Sequence, residues 1–102
     1  MKLPQPPILA TSADYDLPPL DRGREYLLNL SGNFRGATLT LSFRNEATGA
    51  YDAAIDGTWT GTTGVLVEER FIAPSGEGRL TLANASVSPA TAIAVTLVPL
   101  LQ

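Results

Sequence analysis

Cysteine and histidine are absent from the 102-residue chain, and tryptophan and methionine occur once each. Without cysteine there is no disulfide staple, no thiolate nucleophile and no zinc-thiolate site. Without histidine the commonest general base and the commonest transition-metal ligand are both missing, which excludes Ser-His triads and His-containing metal centres. Long apolar runs are missing too, so nothing approaches membrane-spanning length. Pro4, Pro6 and Pro7 interrupt the N-terminus where a signal peptide needs an unbroken apolar stretch, so the expectation is a mature, soluble chain starting at Met1. Apolar residues at three-and-four spacing never persist beyond one turn before Gly, Pro or Thr intervenes, which excludes a helix of useful length.

Positive charge is also scarce. Seven Lys and Arg face ten Asp and Glu, for a formal charge of −3 and a pI near 4.7. Six of the seven basic residues are arginines, scattered at Arg22, Arg24, Arg35, Arg44, Arg70 and Arg79 with no stripe to follow a phosphate backbone. DNA and RNA are therefore not expected partners, and neither is a membrane. The length fits one domain, large enough for its own core.

What the chain does have is alternation. In Ala37 to Arg44, Ala37, Leu39, Leu41 and Phe43 point one way and Thr38, Thr40, Ser42 and Arg44 the other, the period of a half-buried strand. Tyr26, Leu28 and Leu30 alternate in the same way before the Ser31-Gly32-Asn33 turn, and Arg35-Gly36 predicts a bulge or kink. Tyr51, Ala53 and Ile55 alternate before Asp56-Gly57. In Val65 to Ala73 the pattern falters at Glu68-Glu69, where a bulge is expected. Leu80 and Leu82 share a face after the Pro74 to Gly78 turn. Thr91 to Val98, apolar on both sides, reads as a strand that is central or covered on both faces. Short strands punctuated by turns predict an all-β fold, an antiparallel β-sandwich or jelly-roll-like barrel of about six to eight strands. The expected layout is an extended Pro-rich N-terminal arm over residues 1–20 and a β-sandwich over 21–102.

Carboxylate pairs are the enzymatic chemistry left open by the missing His and Cys. In a regular strand Asp52 and Asp56 would share a face ~13 Å apart, too far for a retaining glycosidase pair, and Glu68 and Glu69 would face opposite ways. Asp14, Asp16 and Asp21 lack the spacing of a calcium loop. No enzyme, metal or cofactor is expected. Tyr51 and Trp59 raise a sugar-stacking reading, set against the plainer one that a lone Trp belongs to a core or interface.

At Tyr26 to Ala54 the chain reads Y-L-L-N-L-S-G-N-F-R-G-A-T-L-T-L-S-F-R-N-E-A-T-G-A-Y-D-A-A, and further on F-I-A-P-S-G-E-G-R-L-T-L-A-N-A-S. The order of an F-x-G-A-T-x-T-L segment, a polar Gly turn and an F-x-A-P-x-G-x-x-R-L hairpin resembles small β-rich structural proteins of tailed bacteriophages, over Tyr26 to Ser86. The resemblance implies a virion component: a capsid decoration (cement) protein first, a tail or fibre-associated protein second. It implies synthesis in the host cytoplasm and a final place on the capsid surface. The implied partners are the major capsid protein or other virion subunits, with a homotrimer as one arrangement. It supplies no catalytic residues. From composition alone, Leu3, Pro6, Pro7, Ile8, Leu9, Tyr15 and Leu17 of the arm, with Leu100 and Leu101, are the expected partner contacts. The plainer reading is that they cover an edge of their own domain.

Overall fold

Alternating apolar residues make strands, and the turns between them decide which strands meet. The computed structural model describes residues 1–61 and 64–100, with the side chains of 55, 56 and 64–66 outside the description. Its eight strands are β1 (Ile8–Leu9), β2 (Ala13–Asp16), β3 (Glu25–Asn33), β4 (Thr38–Arg44), β5 (Tyr51–Thr60), β6 (Gly64–Ile72), β7 (Gly78–Ala83) and β8 (Ala92–Pro99). Among the described residues there is no helix.

The strands form two four-stranded antiparallel sheets, β1-β8-β3-β6 (the first sheet) and β2-β7-β4-β5 (the second). Four ladders, β1 with β8, β2 with β7, β3 with β6 and β4 with β5, nest inside one another as in a long hairpin folded over and rolled up. That nesting, closed by the β3–β8 and β4–β7 ladders, is a jelly roll. Of the two all-β architectures expected from sequence, this is the more specific.

The core lies between the sheets. Tyr26, Leu28 and Leu30 of β3 and Ile93 and Val95 of β8 face Leu39, Leu41 and Phe43 of β4 and Leu80 and Leu82 of β7, all buried. Phe71 of β6 bridges the layers, with its ring centroid 5.7 Å from Tyr26 and 5.2 Å from Phe43. β8 is central in its sheet, as its apolar content predicts, but its outer face is open: Val98 is 40% exposed.

Four local expectations change. Ser31-Gly32-Asn33 is not a turn, because β3 runs through it in ladder on both sides, to Asn33↔Gly64 and Asn33↔Ala92. Arg35-Gly36 is a tight turn, with both residues at positive φ (54° and 85°) and the Ala37 N–H donating to the Phe34 carbonyl, the pattern of a type I′ turn. The Glu68-Glu69 bulge is not formed, because β6 pairs with β3 in unbroken register from Glu25↔Ile72 to Asn33↔Gly64. The irregularity sits in β5 instead. Ser42 pairs with Ala53 and Thr40 with Thr58, so residues 54–57 are looped out against Leu41 alone. Gly57 is needed there, since a Cβ would lie 2.9 Å from the Ala54 Cβ and 3.2 Å from the Leu41 carbonyl oxygen.

Residues 1–20 do not extend from the body. β1 is the edge of the first sheet (Ile8↔Ala94, Leu9↔Ile93) and β2 the edge of the second (Ala13↔Leu82 to Asp16↔Arg79). The Asp16 N–H donates to the Met1 carbonyl at 2.6 Å, Leu17 to Gly78 and Leu20 to Gly76 at 3.0 Å each. The physical reason is burial: Leu9, Tyr15, Leu17 and Leu20, spaced between the prolines, are 0–7% exposed. Hydrogen bonding therefore runs across the 20/21 boundary that sequence alone places between arm and sandwich.

Candidate functional site

Each sheet offers solvent one outer face, and sequence decides its character. On the second sheet the outward positions are polar: Asp14 and Asp16 of β2, Arg79 and Thr81 of β7, Thr38 and Thr40 of β4, and Tyr51, Thr58 and Thr60 of β5. Arg79 is the hub. Its guanidinium lies 3.8 Å from the centroid of Tyr51 and 3.9 Å from carboxylate oxygens of both Asp14 and Asp16. Asp14 also accepts from the Thr81 hydroxyl at 2.7 Å. A cation-π contact, two ion pairs and a charge-assisted hydrogen bond thus use up the charge of this face internally.

That arrangement bears directly on the sugar-stacking residues. Tyr51 faces outward opposite Arg44, whereas Trp59 stands opposite the buried Leu39 and packs against the core. In a regular strand residues eight apart share a face. The loop-out at 54–57 reverses the parity, so the two rings lie on opposite sides of β5, and one face of Tyr51 is already covered by Arg79.

The carboxylates do not converge. Asp52 accepts from Asn45 Nδ2 at 3.1 Å, Asp21 pairs with Arg24 at 3.3 Å, and Asp16 with the N-terminal ammonium at 3.2 Å. The side chain of Asp56 is outside the description. Glu68 and Glu69 face opposite sides of β6, opposite Asn29 and Leu28 respectively. Among the described residues no three Asp or Glu come together as a metal site.

The first sheet differs. Its outward rows run Ile8-Ala94-Ser31, Thr96-Asn29-Glu68, Val98-Leu27-Arg70 and then Glu25-Ile72, with Leu100 continuing β8 by donating its N–H to the Glu25 carbonyl at 2.9 Å. The last two rows gather Leu27, Ile72, Val98 and Leu100 at one end of the sheet, Ile72 being 64% exposed. Among the described residues no element covers this apolar patch, the kind of surface that marks a protein contact. The period of two puts Leu27 and Val98 on the outer faces of β3 and β8, but that these strands and β6 are neighbours is set by the fold.

The nine expected partner contacts divide by exposure. Leu9, Tyr15 and Leu17 are buried in their own core, and the Tyr15 hydroxyl donates to the Thr11 carbonyl at 2.5 Å, so Leu9 and Tyr15 have no surface left for another molecule. Leu3 packs against the core in part, and with Pro7, Leu17, Val95 and Leu97 it lines a cleft of about 610 Å³ between the sheets. The Pro7 carbonyl accepts from the Val95 N–H at 2.9 Å. Pro6 and Ile8 are exposed and Leu100 is half-buried on the apolar patch. Leu101 lies outside the described residues. Among the described residues no helix is long and apolar enough to cross a membrane. No family model, curated protein or solved structure matches the chain.

Proposed function

We propose that this chain is a non-enzymatic structural protein of a tailed-phage virion, a decoration protein that docks on the head shell and stiffens it. The observation that carries the reading is the strand order, β1-β8-β3-β6 over β2-β7-β4-β5, the eight-stranded jelly roll also used by viral capsid and lectin domains. A fold hosts many functions. The resemblance of Tyr26 to Ser86 to small phage β proteins favours the virion among them, and the separation of Tyr51 from Trp59 removes the shared ring platform that a lectin-like reading would use.

In this reading the partner is the major capsid protein or a neighbouring virion subunit. It meets the apolar end of the first sheet, Leu27, Ile72, Val98 and Leu100, with Pro6 and Ile8 exposed on the β1 side. Many equivalent sites on a shell multiply the residence time of a weak single contact through effective concentration.

The test is to mix the purified protein with phage heads that lack it and to image and count bound copies. Saturable binding at symmetry-related positions, lost in Ile72→Asp and Val98→Asp variants that keep the wild-type melting temperature, is the expected result. Binding confined to tails or fibres moves the protein to that part of the virion. No binding to any virion component refutes the proposal.

A further inference from the structure

Four strands end the two sheets, and three are closed to further pairing. β1 has two residues and follows Pro6-Pro7. β2 has four, presents Asp14 and Asp16 outward and runs into Pro18-Pro19. β5 is broken by the loop-out at 54–57. Shortness, proline, charge and bulges are the usual guards of a sheet edge. β6 also carries charge, in Glu68, Glu69 and Arg70, but of both signs, and it has nine residues, no proline and unbroken register with β3 on its one paired side.

Which backbone groups of β6 are free follows from the hydrogen bonds at its end. Ala73 N–H donates to the Arg24 carbonyl at 3.0 Å and Gly23 N–H to the Ala73 carbonyl at 2.8 Å, whereas Leu100 N–H donates to the Glu25 carbonyl at 2.9 Å. Even positions along β3 therefore bond toward β6 and odd ones toward β8. Through the register (Tyr26↔Phe71, Leu28↔Glu69), odd residues of β6 bond to β3, and even residues 66, 68, 70 and 72 aim their N–H and C=O away from the sheet.

The edge carries Glu68, Glu69 and Arg70, and these charges are self-complementary. Glu68 and Arg70 are exposed on the outer face and have no ion-pair partner among the described residues, whereas Arg22, Arg24 and Arg44 each have one and Arg79 has two. We propose that β6 pairs antiparallel with β6 of a second copy of this chain about a two-fold axis at Glu69, joining two first sheets into one continuous sheet. In that register Glu68 stands opposite Arg70 of the second copy, Arg70 opposite its Glu68, and Ile72 opposite its position 66. All are even positions, so these pairs exchange the free backbone hydrogen bonds. An axis at 68 or 70 sets Glu68 against Glu68 or Arg70 against Arg70. An axis between residues matches free groups with groups already bonded to β3. Charge and backbone thus select the same register.

One contact opposes it: Glu69 meets its own copy on the axis, a single like-charge pair against two attractive ones. The pairing is isologous and closes on itself, so it yields a dimer rather than a filament. It stands independently of the virion reading.

Sedimentation equilibrium of the full chain from micromolar to millimolar concentration tests it. The wild type is expected to show a monomer–dimer equilibrium. Glu68→Arg or Arg70→Glu alone turns both cross-copy pairs repulsive and should weaken the dimer ~10-fold or more, while Glu68→Gln, which unpairs without repelling, weakens it less. The double exchange E68R/R70E restores attraction and should return the dissociation constant to within ~3-fold of wild type, and Glu69→Gln should tighten it. These side chains are exposed or half-exposed, so melting of the dilute monomer stays unchanged and separates loss of pairing from loss of fold. A wild type monomeric at millimolar concentration, or a double exchange no tighter than either single reversal, overturns the proposal.

Discussion

Ile8 and Leu9 are neighbours on a two-residue strand, yet one is 45% exposed and the other 0%. Substituting each with alanine measures whether the N-terminal segment belongs to the folded body. Leu9 opposes Ile93 and points between the sheets, so Leu9→Ala removes a fully buried isobutyl group and leaves a cavity. The cost is about 3 kcal/mol, at the lower end of the buried Leu→Ala range because an edge site can partly collapse. Against a total stability of about 5–15 kcal/mol, that lowers the melting temperature by ~10–20 °C. Ile8→Ala gives up about half as much burial and no cavity, for a loss of about 1 kcal/mol or less. Thermal unfolding followed by circular dichroism, with urea titration as a second probe, reads both. If the segment were a detachable arm, neither variant would move the transition. A Leu9→Ala protein melting within about 2 °C of wild type, the range of a neutral surface change, would refute the assignment of β1 to the core.

Other positions make separate predictions. Gly32 has φ +134°, and a Cβ there would overlap the Ala92 carbonyl oxygen, a backbone atom held in the β3–β8 ladder. Gly32→Ala should therefore cost more than about 3 kcal/mol, seen as a collapse of soluble yield or of the melting temperature. Thr91 is fully buried, donating to the Phe34 carbonyl at 2.9 Å and accepting from the Ser86 N–H at 2.8 Å. Thr91→Val keeps the shape but orphans both groups, for a loss of about 1–3 kcal/mol in urea unfolding. Arg79→Ala should cost about 1 kcal/mol or less, since its ion pairs are long and partly solvated, and added salt should shrink even that difference.

Much of the fold was legible because burial here follows parity. Leu39, Leu41 and Phe43, Leu80 and Leu82, and Tyr26, Leu28 and Leu30 all face the core as their alternation predicts. Parity failed where the chain departs from a plain ladder. Tyr51 and Trp59 are eight apart, the pair behind the sugar-stacking reading, but the loop-out at Gly57 is a tertiary accommodation to β4 and leaves no local signature beyond a glycine. The N-terminal segment follows the plainer of its two readings, an edge of its own domain, and not that of a free arm. Five prolines in twenty residues read as an extended arm, yet three precede Leu9 and two separate Leu17 from Leu20, leaving Leu9, Tyr15, Leu17 and Leu20 free to bury. The apolar patch of Leu27, Ile72 and Val98 was hidden because its members come from three strands, and no local pattern says which strands become neighbours.

The nested ladders impose an order on the molecule's birth. Ile8 waits for Ala94 and Tyr15 for Leu80, so the N-terminal strands of a nascent chain have no partners until nearly all of it has left the ribosome. Contacts so distant in sequence make for slow closure. The inner hairpin of β4 and β5, completed first, is the natural seed around which the outer strands wrap in turn.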